Sequence, residues 1–514
     1  MKKLATLAVC GGLLMASCGS DGESTESATT DADTTEATAD TTDAPATTLA
    51  ETTAPTTEGT TETTTPTTDT TTDPPTDTTV ETPETTVAEG DDDGVYWVPA
   101  EYDTIQAAVD AAQPGELVMI EPGTYVEAVD VETDELTIRG TDRDGVVLDG
   151  QLELDNGIRV LGANGVAVEN LTTINYTNNG LFWVSSEGYR ASYITTYRTG
   201  DYGIYAFDSV KGQIEHSHTI GSRDAGVYIG QCYPCDAVIT DVISSHNGLG
   251  YSGTNSGGNL LIVNSTWHNN RAGIVPNSGS YELCYPERET TIVGNVLYDN
   301  NQPDTAAIDV ALLAQGNGIL VAGGIGNVIE RNRVDDHFRT GIGLVPYLEE
   351  TPNDDLPTED EWDLPCDEQK NLEINIPDGP ILWDSFDNIV RDNVVTGSGE
   401  ADLAVASADG DISTFRNCWA GNEFTTSAPL ELESLAPCDG EGSGDWTAGD
   451  LNVIRWLAEQ ADLPGEVPWQ EAPLPELGEH ENMPDAETAP PSPATDVPFS
   501  VDLDAITVPE LPNG

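Results

Sequence analysis

Gly203–Ala206 (GIYA) and Gly226–Ile229 (GVYI) are two copies of one short phrase, a glycine followed by alternating apolar residues. The phrase returns about every 23 residues, with two longer steps that contain insertions. A fixed period in this range indicates a solenoid, because one repeat cannot bury its apolar face without stacked neighbours. The copies begin at Gly157, Gly180, Gly203, Gly226, Gly250, Gly273, Gly318, Gly341 and, in degenerate form, Asp402.

Each repeat contains short strands and no helical pattern. A second alternation follows the glycine phrase, as in Leu260–Val263, and then a third apolar segment, as in Val296–Leu297. Such short repeats leave no length for a crossover helix, so the chain must coil and stack equivalent strands in parallel, about 4.8 Å apart. The sequence therefore predicts an all-β fold, a parallel β-helix that is right-handed as parallel crossovers are.

The second alternation usually ends in an asparagine or aspartate. These side chains bond to the backbone and tolerate left-handed geometry, so we expect turns at these positions. The residues are Asn170, Asp241, Asn264, Asn295, Asn332 and Asn393.

A capping helix is predicted in front of the coil. Tyr102–Ala112 places apolar residues on one helical face, Asp103 and Gln106 have capping-box spacing, and Pro114–Gly115 ends the segment. Leu117–Ile120 then begins the first strand. A solenoid needs such a cap because its open end exposes the core and unpaired strand edges.

The segment from Thr104–Ala108 (TIQAA) through Glu121–Tyr125 (EPGTY) resembles the start of many pectin-lyase-like right-handed parallel β-helix proteins. Coils such as Asp224–Gln231 (DAGVYIGQ) resemble the bacterial right-handed β-helix repeat families. The resemblance covers residues 97 to 425 and implies the fold. It leaves the activity open, because the superfamily includes pectate lyases, hydrolases, esterases, alginate epimerases and non-catalytic members. The sequence lacks the Asp-Pro-His-Asp motif of mannuronan epimerases, and the calcium cluster and arginine motif of pectate lyases are not recognisable in it.

Residues 1–18 resemble a bacterial lipoprotein signal peptide. Met1–Lys3 is basic, Leu4–Met15 is apolar but too short to span a membrane, and Met15–Cys18 (MASC) is similar to a lipobox. The resemblance implies export, lipidation of Cys18 and anchoring to the outer face of the cell membrane or the cell surface.

Three further regions follow the signal. Residues 19–93 hold 20 acidic side chains and no Lys or Arg, a composition that predicts a disordered tether. We expect the β-helix domain at residues 94–445. A short helix and a Pro-rich acidic tail are expected at residues 446–514, with the apolar phrase Val501–Val508 docked on the coil.

The charge of the chain limits its partners. With 91 acidic and 18 basic residues the formal net charge is −73, so general attraction to nucleic acid or an anionic membrane surface is excluded. We expect a monomer that contacts the membrane through its lipid only. No cofactor is established; adaptation to a saline habitat and Ca²⁺ binding, above all in the acidic insertion at residues 347–385, stay open as explanations of the charge.

Six cysteines follow the signal peptide, and an even set in an exported chain favours disulfides. We predict a bond between Cys418 and Cys438. Cys284 and Cys366 both lie in insertions and could bond to each other or to the Cys232–Cys235 turn. Zinc is not predicted, because neither a second Cys-x-x-Cys pair nor a Cys/His pair accompanies the Cys232–Cys235 turn.

The outward side of the strand after each glycine suggests a ligand surface. The residue two positions after the glycine points outward, and three consecutive coils carry aromatic rings there, spanning about 10 Å. Exposed ring faces would suit sugar rings; the alternative is that the rings fill a sheet face under a loop. The three residues are Phe182, Tyr205 and Tyr228.

The turns before the glycines concentrate the few cations and histidines. Arg can hold a sugar carboxylate, and His or Asp can move a proton, as a uronic-acid lyase or epimerase requires. We predict His246, Arg223 and Asp224 as catalytic residues and Arg271 and Asp201 as substrate-binding residues. The two aspartates would orient the cations or share Ca²⁺; the alternative is Arg–Asp pairing within the turns.

Two functions stay open at this point. The first is an enzyme acting on polysaccharide or cell-wall glycan: a lyase, an epimerase or a hydrolase. The second is a non-catalytic surface module that binds glycan or serves as an adhesin or spacer. Only the enzyme requires a group beside the ligand surface whose protonation changes with pH.

Overall fold

The computed structural model describes residues 93–352, 379–459, 467–495, 498 and 500–512. The signal peptide, Cys18, the tether up to residue 92, and Cys366 with residues 353–378 of the acidic insertion lie outside the described residues. The body is a right-handed parallel β-helix, as predicted. One 23-residue period makes one coil, since Tyr205 pairs in register with Phe182 on one side and Tyr228 on the other.

The strands that follow the glycines form an 11-stranded parallel sheet, here called sheet B. In these strands the alternate residues point inward: Ile204 and Ala206 are fully buried, whereas Tyr205 between them is partly exposed. The strands are Val129–Val131, Asn156–Leu161, Asn179–Val184, Ile204–Phe207, Ala225–Gly230, Leu249–Thr254, Ala272–Asn277, Ile319–Ala322, Thr340–Val345, Ala401–Val405 and Ser427–Ala428.

The other two strands of each coil form a 20-stranded sheet, sheet A, which bends into two arms. The arms are joined because Val166–Ile174 and Glu187–Thr199 run through the corner and belong to both. The remaining strands of the first arm are Val95–Val98, Leu117–Ile120, Thr137–Gly140, Val210–Glu215, Ala237–Thr240, Gly257–Val263, Arg288–Val293, Val328–Glu330, Ile389–Arg391 and Cys418–Ala420. Those of the second arm are Gly123–Tyr125, Val146–Asp149, His218–Ser222, Ile243–Ser245, Thr266–His268, Val296–Tyr298, Arg333–Asp335 and Val394–Thr396.

Short helices lie outside the coil. The capping helix α1 (Ile105–Ala111) begins one residue later than the capping-box spacing implies, because Thr104 is the N-cap and accepts the Ala107 N–H at 3.1 Å. The others are α2 (Asp309–Ala314), α3 (Leu432–Leu435), α4 (Val453–Glu459) and the 3₁₀ turns Ile412–Thr414 and Leu503–Ala505; Tyr347–Glu349 and Ile381–Trp383 form an antiparallel pair. None of the described helices has the length and apolar character needed to cross a membrane.

The predicted Asn and Asp turns divide into two kinds. Asn170, Asp241 and Asn264 have φ between 49° and 55°, the left-handed geometry expected of a turn. Asn295 and Asn332 instead lie one position later, where the side chain points inward and stacks on the next coil. For these two and for Asn393 the expected bond from the side chain to the backbone is present, but the expected left-handed geometry was wrong.

The described C-terminal residues 467–495, 498 and 500–512 lie along the outside of sheet A, and we call them the strap. Arg139 is fully buried and donates to Ala489 O at 2.6 Å, and Arg143 donates to Glu481 O at 3.2 Å. Arg331 donates to Leu503 O at 2.8 Å, so the predicted docking of Val501–Val508 is observed.

Two disulfides are fully described. Cys418 bonds to Cys438, as predicted. Cys232 bonds to Cys235 within its own turn, which excludes the alternative in which this turn bonds to Cys284 or Cys366. Cys284 is also disulfide-bonded.

Candidate active site on sheet B

The structure places Phe182, Tyr205 and Tyr228 in one ladder on the outer face of sheet B. The ring centroids are 5.1 Å and 4.9 Å apart, and the ring planes differ by 9° and 13°. Parallel rings this close overlap face to face, so Tyr205 has an aromatic ring on both of its faces. The expectation that its face would be open to a sugar was therefore wrong, and the ladder presents ring edges to solvent.

Tyr228 closes the C-terminal end of the ladder. It is 2% exposed, and its hydroxyl donates to Glu282 Oε1 at 2.5 Å. Glu282 comes from the insertion Ser278–Glu287, which follows the strand Ala272–Asn277. Within the described part of the chain, the buried Glu282 Oε2 has no hydrogen-bond partner.

A second tyrosine–carboxyl pair lies beside the first. The Tyr202 ring is 4.8 Å from that of Tyr205 and 4.9 Å from that of Tyr228, and its side chain is hydrogen-bonded to Asp224. The backbone N–H of Asp224 donates to the carbonyl of Asp201 at 2.9 Å, so the two aspartates occupy successive coils. We call Asp201, Tyr202, Asp224, Tyr228 and Glu282 the tyrosine–carboxyl cluster.

Burial controls the protonation of this cluster. It raises the pKa of Asp224 to about 7, with Asp201 adding to the effect and the Tyr202 hydrogen bond opposing it. It raises the pKa of Glu282 to about 8, again against the hydrogen bond from Tyr228 and with a contribution from Asp224. The pKa of Asp201 is also raised by burial, and Arg223 opposes that rise. A proton is therefore held on buried acids at neutral pH.

His246 is not brought to this cluster. Its ring lies 6.3 Å from that of His268, a residue of the second arm of sheet A. Its backbone has φ of 59°, and burial lowers its pKa, with His268 adding to the effect. The predicted grouping of His246 with Arg223 and Asp224 as catalytic residues is not observed, because the His246 ring lies beside His268 whereas the Asp224 carboxyl is hydrogen-bonded to Tyr202.

Arg271 is directed into the protein instead of the groove. It is fully buried, and its guanidinium donates to Gln315 Oε1 at 2.8 Å, to Pro303 O at 2.7 Å and to Thr305 O at 2.9 Å. It holds the insertion that carries α2 onto the coil, which excludes the predicted substrate-binding role. Arg223 does stay near the cluster, since its charge acts on both Asp201 and Asp224.

The described residues contain no group of three or more His, Cys, Asp or Glu side chains arranged to hold a metal ion. Among the described residues, no third His, Cys, Asp or Glu side chain is therefore placed to bind a Ca²⁺ ion shared by Asp201 and Asp224. The acidic segment at residues 353–378, the other calcium candidate, lies outside the described residues.

A cavity of about 280 Å³ lies elsewhere, between the strap and sheet A. Its lining includes Arg190 and Lys211, but Arg190 is paired with Glu169 and Glu215, and Lys211 with Glu187. Because these ion pairs neutralise its cations, the cavity offers fewer groups for binding or catalysis than the tyrosine–carboxyl cluster.

Sequence reasoning did not identify Tyr202 and Glu282. Tyr202 stands beside Asp201 in the turn before Gly203, and the register of the coils would have placed it next to Tyr205. Glu282 lies in an insertion, where the repeat carries no register, so nothing in the period indicated its position.

Comparison with known proteins supports the fold. A family model described as the right handed beta helix region matches residues 156–347. The A-module of a mannuronan C-5 epimerase from Azotobacter vinelandii is 12% identical with a TM-score of 0.40, covering 66% of this chain and 95% of the module. An alginate lyase from Paenibacillus sp. is 15% identical with a TM-score of 0.34, covering 46% of this chain and 87% of the lyase. A rhamnogalacturonan lyase is 12% identical with a TM-score of 0.40, covering 70% of this chain and 94% of that protein. These are likenesses of fold alone, and the comparison with curated proteins finds no match.

Proposed function

We propose that the protein is a polysaccharide-active β-helix whose site is the outer face of sheet B, with Asp224 as the proton donor. The observation that carries the proposal is the buried Asp224 carboxyl, hydrogen-bonded to Tyr202 beside a partly open aromatic surface. With a pKa near 7 this acid is still largely protonated when most carboxyls are ionised.

Such an acid suits cleavage of a glycosidic bond. It can donate its proton to the glycosidic oxygen as the C–O bond breaks, while a second carboxylate takes a proton from the attacking water. Asp201, on the preceding coil, is the candidate for the second role; burial raises its pKa, and Arg223 opposes that rise.

Electrostatics favours a neutral glycan over a polyuronate. The formal net charge of the chain is −73, so an anionic polymer would be repelled. A uronate lyase or epimerase would also need a cation for the sugar carboxylate, and of the predicted cations Arg223 is the one that keeps this position. We therefore rank hydrolysis above elimination and epimerisation.

The test is to incubate the purified protein with neutral glycans, alginate and pectate, and to measure new reducing ends and unsaturated uronides. Reducing ends from a neutral glycan support the hydrolytic proposal; unsaturated uronides would instead establish a lyase. Asp224→Asn preserves the shape of the side chain and the hydrogen bond to Tyr202, and should lower turnover at least 10²-fold. The exposed Asp103→Asn is the matched control and should leave turnover unchanged.

The second candidate is a non-catalytic surface module that binds glycan or acts as an adhesin or spacer. It is favoured by the stacking of the ladder rings on one another and by the burial of Tyr228 under Glu282, which is how a purely structural cluster would be built. If glycans bind but neither the parent nor Asp224→Asn turns them over, this candidate replaces the enzyme.

We also propose that the body is anchored to the cell surface through Cys18. The support is the lipobox-like Met15–Cys18 and the long acidic tether that follows, which would hold the site away from the membrane. A polymer outside the cell is the kind of partner that such an anchor would reach.

A further inference from the structure

We propose that the site on sheet B takes the end of a glycan chain and not its middle. The inference rests on the proposed function and adds the direction and length of the binding surface. Its basis is that the outer face of sheet B is open on the coils before Tyr228 and covered from Tyr228 onward.

The open part comprises three coils. Arg159 is 33% exposed at its side chain, and Phe182 and Tyr205 follow it in register, both partly exposed. Two steps between coils give about 10 Å, roughly two sugar rings. Asp130, which pairs with Arg159, is 52% exposed, so this end of the surface opens toward solvent.

The covered part begins at Tyr228. The outward residues of the following strands are nearly inaccessible: Ser252 is 5%, Val275 1% and Leu320 5% exposed. Helices α2 and α4 pack on this face through an apolar cluster separate from the core inside the coil, with members that include Ala311, Ala314, Val275, Leu320 and Trp456. A polymer that lay along the ladder could not continue over these coils.

The boundary between the two parts is the tyrosine–carboxyl cluster. Glu282 covers Tyr228, and next to it the Tyr281 hydroxyl donates to Asn277 Oδ1 at 3.3 Å, which fixes the insertion against the sheet. The unpartnered Glu282 Oε2 is a polar atom at this wall that a terminal sugar hydroxyl could satisfy. A chain end that reaches the wall places the glycosidic bonds of its first sugars beside Asp224, so each cleavage would release one short product.

The experiment compares linear glucan oligosaccharides with rings of the same sugar and linkage, such as cyclodextrins and cyclic β-glucans, which have no ends. Linear chains should bind at least tenfold more tightly than the rings, and products should be one short length from the first time points. Glu282→Gln should weaken linear binding severalfold, whereas Glu289→Gln, an exposed control in the next segment, should not.

The outcomes separate the two proposals. Equal binding of rings and linear chains, or an early mixture of all product lengths with a fall in polymer viscosity, would overturn the chain-end inference and leave the polysaccharide function standing. Failure of every linear glycan to bind or react would overturn both.

Discussion

Asn332→Ala tests whether the inward asparagines hold the coils in register. Asn332 is fully buried, and its amide joins three coils. Nδ2 donates to Ile292 O at 2.9 Å and to Asn393 Oδ1 at 3.0 Å, while Oδ1 accepts from Asn295 N at 3.0 Å and from Asn295 Nδ2 at 3.1 Å.

The magnitude follows from these four contacts. Each hydrogen bond contributes about 1 kcal/mol net, and a buried group left without a partner costs about 1–3 kcal/mol. Because the alanine leaves Ile292 O and the Asn295 N–H without these partners inside the coil, we expect the free energy of unfolding to fall by about 3–5 kcal/mol. Asn178→Ala, at an exposed position, is the control and should change stability by no more than about 0.5 kcal/mol.

Urea unfolding followed by tryptophan fluorescence measures the effect. The midpoint should fall for Asn332→Ala with the slope of the transition unchanged, because the surface exposed on unfolding is the same. A loss below about 1 kcal/mol, or one equal to that of the control, would refute the view that the inward asparagine column stabilises the stack.

Four further outcomes are expected. Turnover should fall as the pH rises through about 7, where Asp224 loses its proton, and a flat profile would exclude Asp224 as the acid. Stability should also fall with rising pH, because the folded pKa values of Asp224, Glu282 and Glu287, about 7, 8 and 8, exceed the ordinary 3.8 and 4.5. The stabilising contribution of these acids is complete below about pH 4 and is lost as the pH rises through 7 to 8. A urea midpoint that is constant from about pH 6 to 9 would contradict this. Arg139→Ala should loosen the strap, seen as faster proteolysis near residues 481–495 while the coil stays intact. Cys18→Ala should release the protein into the medium or leave it unprocessed, and unchanged lipid labelling would refute the anchor.

The fold was predictable because a repeat of about 23 residues indicates stacked coils. The alternation in Gly203–Ala206 and Gly226–Ile229 fixed which residues point outward, and the observed register of Tyr205 with Tyr228 follows from that spacing alone. The same rule did not distinguish Asn264 from Asn295, which look alike in sequence. In the later coil Gly294 occupies the left-handed position equivalent to Asn264, so Asn295 falls one residue later and its side chain points inward.

The site was predictable only where the coil builds it. Phe182, Tyr205, Asp201 and Asp224 are positions of the repeat, and their mutual placement follows from the stacking of coils. Glu282, by contrast, comes from an insertion, whose path depends on long-range contacts that the period does not encode. The pKa of Asp224 depends on burial, to which Asp201 adds.

Arg271 was misassigned for a physical reason that it shares with other arginines. In the part of the chain that the structure describes, several arginines donate to backbone carbonyls of segments outside the coil, among them Arg139, Arg143, Arg198, Arg271, Arg331, Arg333 and Arg339. The strap and the insertions have few regular hydrogen-bond partners for their carbonyls, and a guanidinium supplies five donors in a fixed plane. Scarce cations are therefore used to fasten irregular segments to the coil. In an acidic solenoid of this kind, arginines that donate to the carbonyls of an irregular segment indicate a covered face, and the ligand surface is better sought on the open coils before Tyr228, where Arg159 pairs with Asp130 instead.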